Sequence, residues 1–225
     1  MKASRSCRPL PQNSLKSHFH RALRNSRGGR FAIFAAEEYN TRPLDLKRHT
    51  HPVNGLQAIF LLPIALVGLA AALHATGYLH GESRARQTRF WAFFAATLAA
   101  MSGVVLAPGQ LTFLLAWEAM GLASAGLVAF ESTEKTVRKA TWIYLLACHA
   151  GACALMLAGV LLARPGCVLA AFVCAAVGFG LKIGFPPFHV WLPEAHPAAP
   201  APASAVMSGA MIPLGFYGLM RFATP

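Results

Sequence analysis

From Val53 onward the chain is a series of six apolar segments separated by short polar breaks, and no other feature restricts its fold so much. The segments cover 55–79, 90–107, 111–130, 141–163, 168–185 and 202–222. A membrane span needs about 20 largely apolar residues, which is the length of these runs. The breaks HGESRARQTR, PGQ, ESTEKTVRKA, RPG and HVWLPEAHPAAPA are too short to hold a soluble domain. Lipid offers no partner to an open sheet edge, so helices are the economical way across. The expected fold class is all-α: a polytopic membrane helix bundle of about six transmembrane helices, one or two of them broken. Composition agrees, with 56% apolar and only 12% charged residues. A soluble domain carries roughly a quarter charged residues, and a disordered chain has the opposite balance. Five cysteines in no paired framework exclude a disulfide-stapled secreted module.

Charge is unevenly spread. Of the 20 Lys and Arg, 11 lie in residues 1–50 against three acids, Glu37, Glu38 and Asp45. The domain reading is therefore a basic, disordered arm over 1–52 and a transmembrane domain over 53–225. The arm has the composition of an organelle transit peptide, or of a tether for anionic lipid or nucleic acid. Orientation favours a blander reading. One side of the bundle receives Arg84, Arg86, Arg89, Lys135, Arg138 and Lys139, and the other only Arg164 and Arg221. By the positive-inside rule the six-base side is cytoplasmic. Adding the arm to the second side gives it 13 bases and inverts the topology. The conflict favours an arm that is not the natural lead into these helices.

Small residues mark where helices approach. Gly121 with Ala125, and Ala150 with Ala154, are spaced to share a face, as packing seams or as ordinary members of an Ala-rich chain. Cys148, Cys153, Cys167 and Cys174 lack metal-site spacing and read as small hydrophobes. His149, in mid-segment, reads as a hydrogen-bonded bundle residue.

Two charges stand inside apolar spans: Glu118 in LTFLLAWEAMGLASAGLVAF and Lys182 in VLAAFVCAAVGFGLKIGFPPF. Each costs about 2.5–3.5 kcal/mol at mid-helix, so both should face the bundle interior. They fit either a buried pair that fixes helix register or ion chemistry, which is the default for intramembrane charge. Pro186 and Pro187 follow Lys182 and remove the N–H groups that would satisfy the carbonyls of Lys182 and Ile183. The helix must break there, which is tolerated only in a buried or wet place. The negative end of the half-helix favours an ammonium, while burial opposes it. A lysine balanced so can take up and release a proton, and the approach of Glu118 would shift the balance. Pro213 frees the carbonyl of Gly209, and paired helix breaks point to a mid-membrane ion site.

WEAMGLAS, from Trp117 to Ser124, resembles the Glu-bearing fifth helix of the antiporter-like subunits of respiratory complex I. KIGFPPFHVWLPEAHPAAPAPASAVMSGAMI, from Lys182 to Ile212, resembles their broken seventh helix and the start of the eighth. HVWLPEAHPAAP with AVMSG is most similar to hydrogenase-4 component B and formate hydrogenlyase subunit 3. The resemblance covers 53–222 and implies helices three to eight of a longer subunit. It implies that Glu118 and Lys182 are a proton-relay pair. It also implies that His189 and His196, with Glu194, belong to the connection between helices seven and eight. On that resemblance the basic arm would stand in place of the family's first two helices, the second repeat would be absent, and Pro213 would stand where the hydrogenase subgroup has a lysine.

The expected function is thus a partial membrane subunit of a proton-translocating hydrogenase or NADH–quinone oxidoreductase complex, moving protons through a Glu/Lys relay. Expected partners are other membrane subunits, the lipid bilayer and the transported proton, not nucleic acid. The expected location is the bacterial inner membrane. No cofactor or metal is expected, because the chain has no iron–sulfur cysteine run and no glycine-rich nucleotide loop. The alternatives are a non-transporting scaffold subunit and a non-functional gene fragment.

Overall fold

The structure is a computed structural model and describes residues 54–223. The basic arm lies outside the described residues. Five long helices come first: α1 Gly55–Tyr78, α2 Arg84–Leu106, α3 Gln110–Val128, α4 Lys135–Leu162 and α5 Val168–Ile183. A 3-10 turn over Phe188–Trp191 leads to the short helices α6 Leu192–Ala198 and α7 Ala201–Val206. The chain then runs through a π turn, Met207–Met211, into α8, Ile212–Ala223. Among the described residues six helical stretches are long and apolar enough to cross a membrane, the last two being Val168–Ala198 and Ala201–Phe222. The chain is an integral, multi-pass membrane protein with an all-α fold.

Two polar breaks are shorter than their charge suggests. Ser83 Oγ accepts the Arg86 N–H at 3.4 Å, and α2 starts directly behind this cap. Arg84, Arg86 and Arg89 therefore lie on the first turns of a helix. In α4, Arg138 reaches back and donates to the carbonyls of Ser132 and Thr133, both at 2.8 Å. Arginine, lysine and glutamine are good helix formers, so charge alone does not mark a loop.

The stretch HVWLPEAHPAAPA is largely helical as well. Pro193 sits in the first turn of α6 and Pro202 in that of α7, where the missing N–H costs nothing. Between them Ala199 is extended, φ −78° and ψ 145°, as a residue before proline should be.

Helix α5 stops at Ile183. Gly184 caps it in the left-handed conformation, φ 76°, and its N–H bonds the Gly180 carbonyl at 2.8 Å. The Pro186–Pro187 bond that follows is cis. Trp191, 1% exposed, then turns its indole N–H onto the Leu181 carbonyl at 2.6 Å. That bond supplies one of the donors that the end of α5 lacks.

Pro213 acts differently. The helix passes through it without interruption, and the widened π turn just before it absorbs the missing donor. Among these segments, α5 is interrupted and the α7–α8 stretch is only re-wound.

Neighbouring faces of α5 pack differently. Trp117 and Phe179 meet edge-on at 5.5 Å, with Phe113 stacked on Trp117 at 5.4 Å. At the adjacent Gly178 the backbones of α4 and α5 nearly touch: a Cβ there would lie 2.8 Å from the Gly151 carbonyl oxygen. The close contact on α4 is therefore made by Gly151. Ala150, at the neighbouring position, is exposed. Gly121 does face a partner, since a Cβ there would lie 3.3 Å from Cys148 Cβ.

Candidate functional site

Lys182 is the penultimate residue of α5, and only 4% of it is exposed. Its ammonium is aimed at α4 and not at Glu118. Nζ donates to Tyr144 Oη at 3.1 Å and to Cys148 Sγ at 3.5 Å. It also lies 5.2 Å from the centre of the Tyr144 ring, within cation–π range. Tyr144 and Cys148 are four residues apart, so both stand on one face of α4.

The hydrogen bonds have a direction. Ser124 Oγ donates to the Met120 carbonyl at 2.6 Å and lies 2.7 Å from Tyr144 Oη. A hydroxyl has one hydrogen: with the Ser124 proton on the Met120 carbonyl, the phenol donates to Ser124 and accepts from Lys182. The result is a chain from Lys182 through Tyr144 and Ser124 to the α3 backbone. Met211 Sδ, in the π turn, lies 3.3 Å from the same phenol and offers it a second acceptor. All four side chains in this chain are buried.

Glu118 lies in the middle of α3 and pairs elsewhere. Its Oε2 is 2.9 Å from Nδ1 of His149, and the side chains of Glu118 and His149 are 33% and 48% exposed. Among the described residues no carboxylate forms an ion pair with Lys182. The sequence singles out both charges, and the structure sets them against different residues of α4: Cys148 beside Lys182, and its neighbour His149 beside Glu118.

The remaining residues named by the sequence sit around the interruption. His196 accepts or donates at Nδ1 with Ser204 Oγ at 2.9 Å and Ser208 Oγ at 3.4 Å, and its ring stacks on Trp191 at 6.1 Å. Trp191 in turn packs against Tyr144 at 5.0 Å, so one indole separates His196 from the lysine cluster. His189 is exposed, as are Pro186 and Pro187. Glu194 pairs with Lys139 of α4 at 3.7 Å, both partly exposed. Pro213 is half-buried, two residues past Met211.

Tyr144 and Ser124 escape a reading based on charge, because neither residue is unusual in a membrane helix. The available signal is spacing: Tyr144 and Cys148 form an i, i+4 pair, and Ser124 closes the WEAMGLAS stretch. Cys148 is more than a small hydrophobe here, because its sulfur accepts from a buried ammonium.

The family described as NADH:quinone oxidoreductase/Mrp antiporter, TM matches residues 107–225, which include the residues of both clusters. An uncharacterised protein of Mycobacterium tuberculosis is 39% identical over 176 residues, 71% of this chain and 27% of its own length. Hydrogenase-4 component B of Escherichia coli is 32% identical over 200 residues, 80% of this chain and 29% of its own. NADH-quinone oxidoreductase subunit N of Desulforudis audaxviator is 29% identical over 188 residues, 75% of this chain and 37% of its own. The chain thus spans 27–37% of the length of these curated relatives. On its helices, on the match over more than half of its residues and on these relatives, the chain belongs to the antiporter-like membrane subunit family of NADH:quinone oxidoreductases and Mrp antiporters.

Proposed function

We propose that the chain works as part of a proton-translocating membrane subunit in a hydrogenase or NADH–quinone oxidoreductase complex, in which Glu118 and Lys182 relay protons. The observation that carries the reading is Lys182: a cation 4% exposed, at the interrupted end of α5, held by a phenol and a thiol. A purely structural lysine would gain most from a carboxylate in contact, because an unpaired buried charge is expensive. Neutral acceptors hold the ammonium while leaving it free to lose its proton. Tyr144 then loses one incoming bond and keeps its bond to Ser124, so deprotonation leaves the rest of the chain of hydrogen bonds intact. Glu118 acts from His149, the α4 residue next to the Cys148 that Lys182 contacts. Redox chemistry belongs to partner subunits of the complex, and the bacterial inner membrane is the setting.

The test uses native membrane vesicles from cells whose only copy of the chain is wild type, K182A or E118Q. Lumen acidification is followed with a quenching dye after addition of NADH or hydrogen, with donor oxidation measured in parallel. Both variants should lose acidification by at least about tenfold, the range of a lost proton-transfer group, while the chain stays in the complex. Undiminished acidification in both would overturn the relay and favour a non-transporting scaffold.

A further inference from the structure

The relay reading leaves His149 without a task, yet its Nδ1 lies 2.9 Å from Glu118 Oε2. The pair joins the middle of α3 to the middle of α4, inside spans that are otherwise apolar. Among the described residues, the other charged side chain brought to this part of α4 is Lys182 of α5, at Cys148. Glu194 and His196 of α6 are engaged with Lys139 and Ser204, and His189 of the 3-10 turn is exposed. Nδ1 of His149 faces the carboxylate, while Nε2 has no hydrogen-bond partner among the described residues. The ring is 48% exposed, so Nε2 is left open on a mid-span face of α4, where a partner helix can meet it.

We propose that His149 is the residue that hands protons to Glu118, an assignment that rests on the relay reading above. In the neutral ring Nδ1–H donates to Glu118 Oε2. A proton binds Nε2, the Nδ1–H bond breaks as Oε2–H forms, and the ring is left neutral in its other tautomer. One proton enters, one is passed on, and no electrons change hands. The starting tautomer returns when a proton binds Nδ1 and the Nε2 proton leaves, again one proton in and one out. The arrival of the proton cancels the Glu118 charge at His149, beside Cys148, the α4 residue that Lys182 contacts. His149 therefore converts proton arrival into a change at Lys182 without direct contact between the two charges.

The same vesicles test it with H149A, H149Q and the double variant H149A/E118Q. The expected result is that H149A and H149Q fall to the level of E118Q, and that the double variant falls no further. Low-millimolar imidazole should restore acidification in H149A by several-fold; the double variant reports imidazole's own buffering and should not recover. Glutamine can still donate to the carboxylate but cannot accept and release a proton, so H149Q separates transfer from packing if H149A is poorly retained in the membrane. Wild-type acidification in H149A or H149Q, with E118Q and K182A still impaired, overturns this assignment and leaves the relay standing. So does a loss in H149A that imidazole does not relieve while the amount of chain in the membrane is unchanged. Undiminished acidification in E118Q and K182A removes the relay and this inference together.

Discussion

At the scale of single residues, Tyr144 is the hinge of the site, because it accepts from Lys182 and donates to Ser124. Tyr144→Phe removes both bonds and leaves the ammonium one acceptor poorer in a buried place. Losing a buried partner of a charged group costs about 1–3 kcal/mol, so Y144F should lower both the unfolding midpoint in detergent and the rate of acidification. Ser124→Ala is milder. The phenol can turn to Met211 Sδ, 3.3 Å away, and the loss should be about 1 kcal/mol. Thermal unfolding followed by fluorescence should rank the two in that order, and an equal loss would contradict the direction assigned to the chain of bonds. Lys182 and Glu118 are legible in the sequence because an ionised side chain is conspicuous against apolar neighbours. Tyr144, Ser124 and His149 are not, since their importance comes from which helix faces which, and one-dimensional spacing does not encode that across α3, α4 and α5.

At the scale of elements, the interruption of α5 depends on Gly184 more than on the prolines beside it. Gly184 has φ 76°, and a side chain there would run into Leu192. Gly184→Ala therefore suffers both backbone strain and a clash, whereas Pro186→Ala changes an exposed residue beyond the cap. We expect G184A to destabilise the chain by about 1–3 kcal/mol and P186A by less than about 1 kcal/mol, as read from retention of folded protein in detergent on heating. The seam between α4 and α5 makes a parallel case. A Cβ at Gly178 would lie 2.7 Å from Leu155 Cγ, so Gly178→Ala should push the helices apart, weaken the Lys182 contacts and cost about 1–3 kcal/mol. The Pro-Pro pair makes the end of α5 readable from sequence. The π turn is not readable, because Pro213 is equally compatible with a break, and the choice is made by how Met207–Met211 packs. The helical character of 192–198 is hidden for the opposite reason: prolines that look like breakers lie in first turns.

At the scale of the whole molecule, two ion pairs report which helix ends share a side. Arg86, at the start of α2, reaches Glu131, just past α3, at 3.0 Å, and Lys139, near the start of α4, reaches Glu194 at 3.7 Å. Exposed pairs of this kind contribute about 0–1 kcal/mol, so their value is as markers of topology. Cysteines introduced at Ser83 and Glu134 should therefore react with a membrane-impermeant thiol reagent from one side, and those at Gly109 and Arg164 from the other. The six bases around the first pair of positions assign that side to the cytoplasm. Labelling of all four from one side would overturn the fold in the membrane. Large side chains such as Leu111, Trp142, Leu146 and Leu169, all more than 60% exposed, cover the flanks of α3, α4 and α5 with a surface that only lipid or another apolar helix can cover. Helix α4 is also a common ruler for the two charges. Glu118 meets it at His149, and Lys182 meets it at Tyr144 and Cys148, so the contacts lie about 1.5–7.5 Å apart along its axis. On the proposed relay, a proton passing between them crosses at most about a quarter of a hydrocarbon layer about 30 Å thick. At about 2.3 kcal/mol per charge per 100 mV for the full crossing, that single step does at most about 0.6 kcal/mol of electrical work for every 100 mV. On that proposal the step is electrical as well as chemical, and the membrane potential biases how readily each proton is handed on.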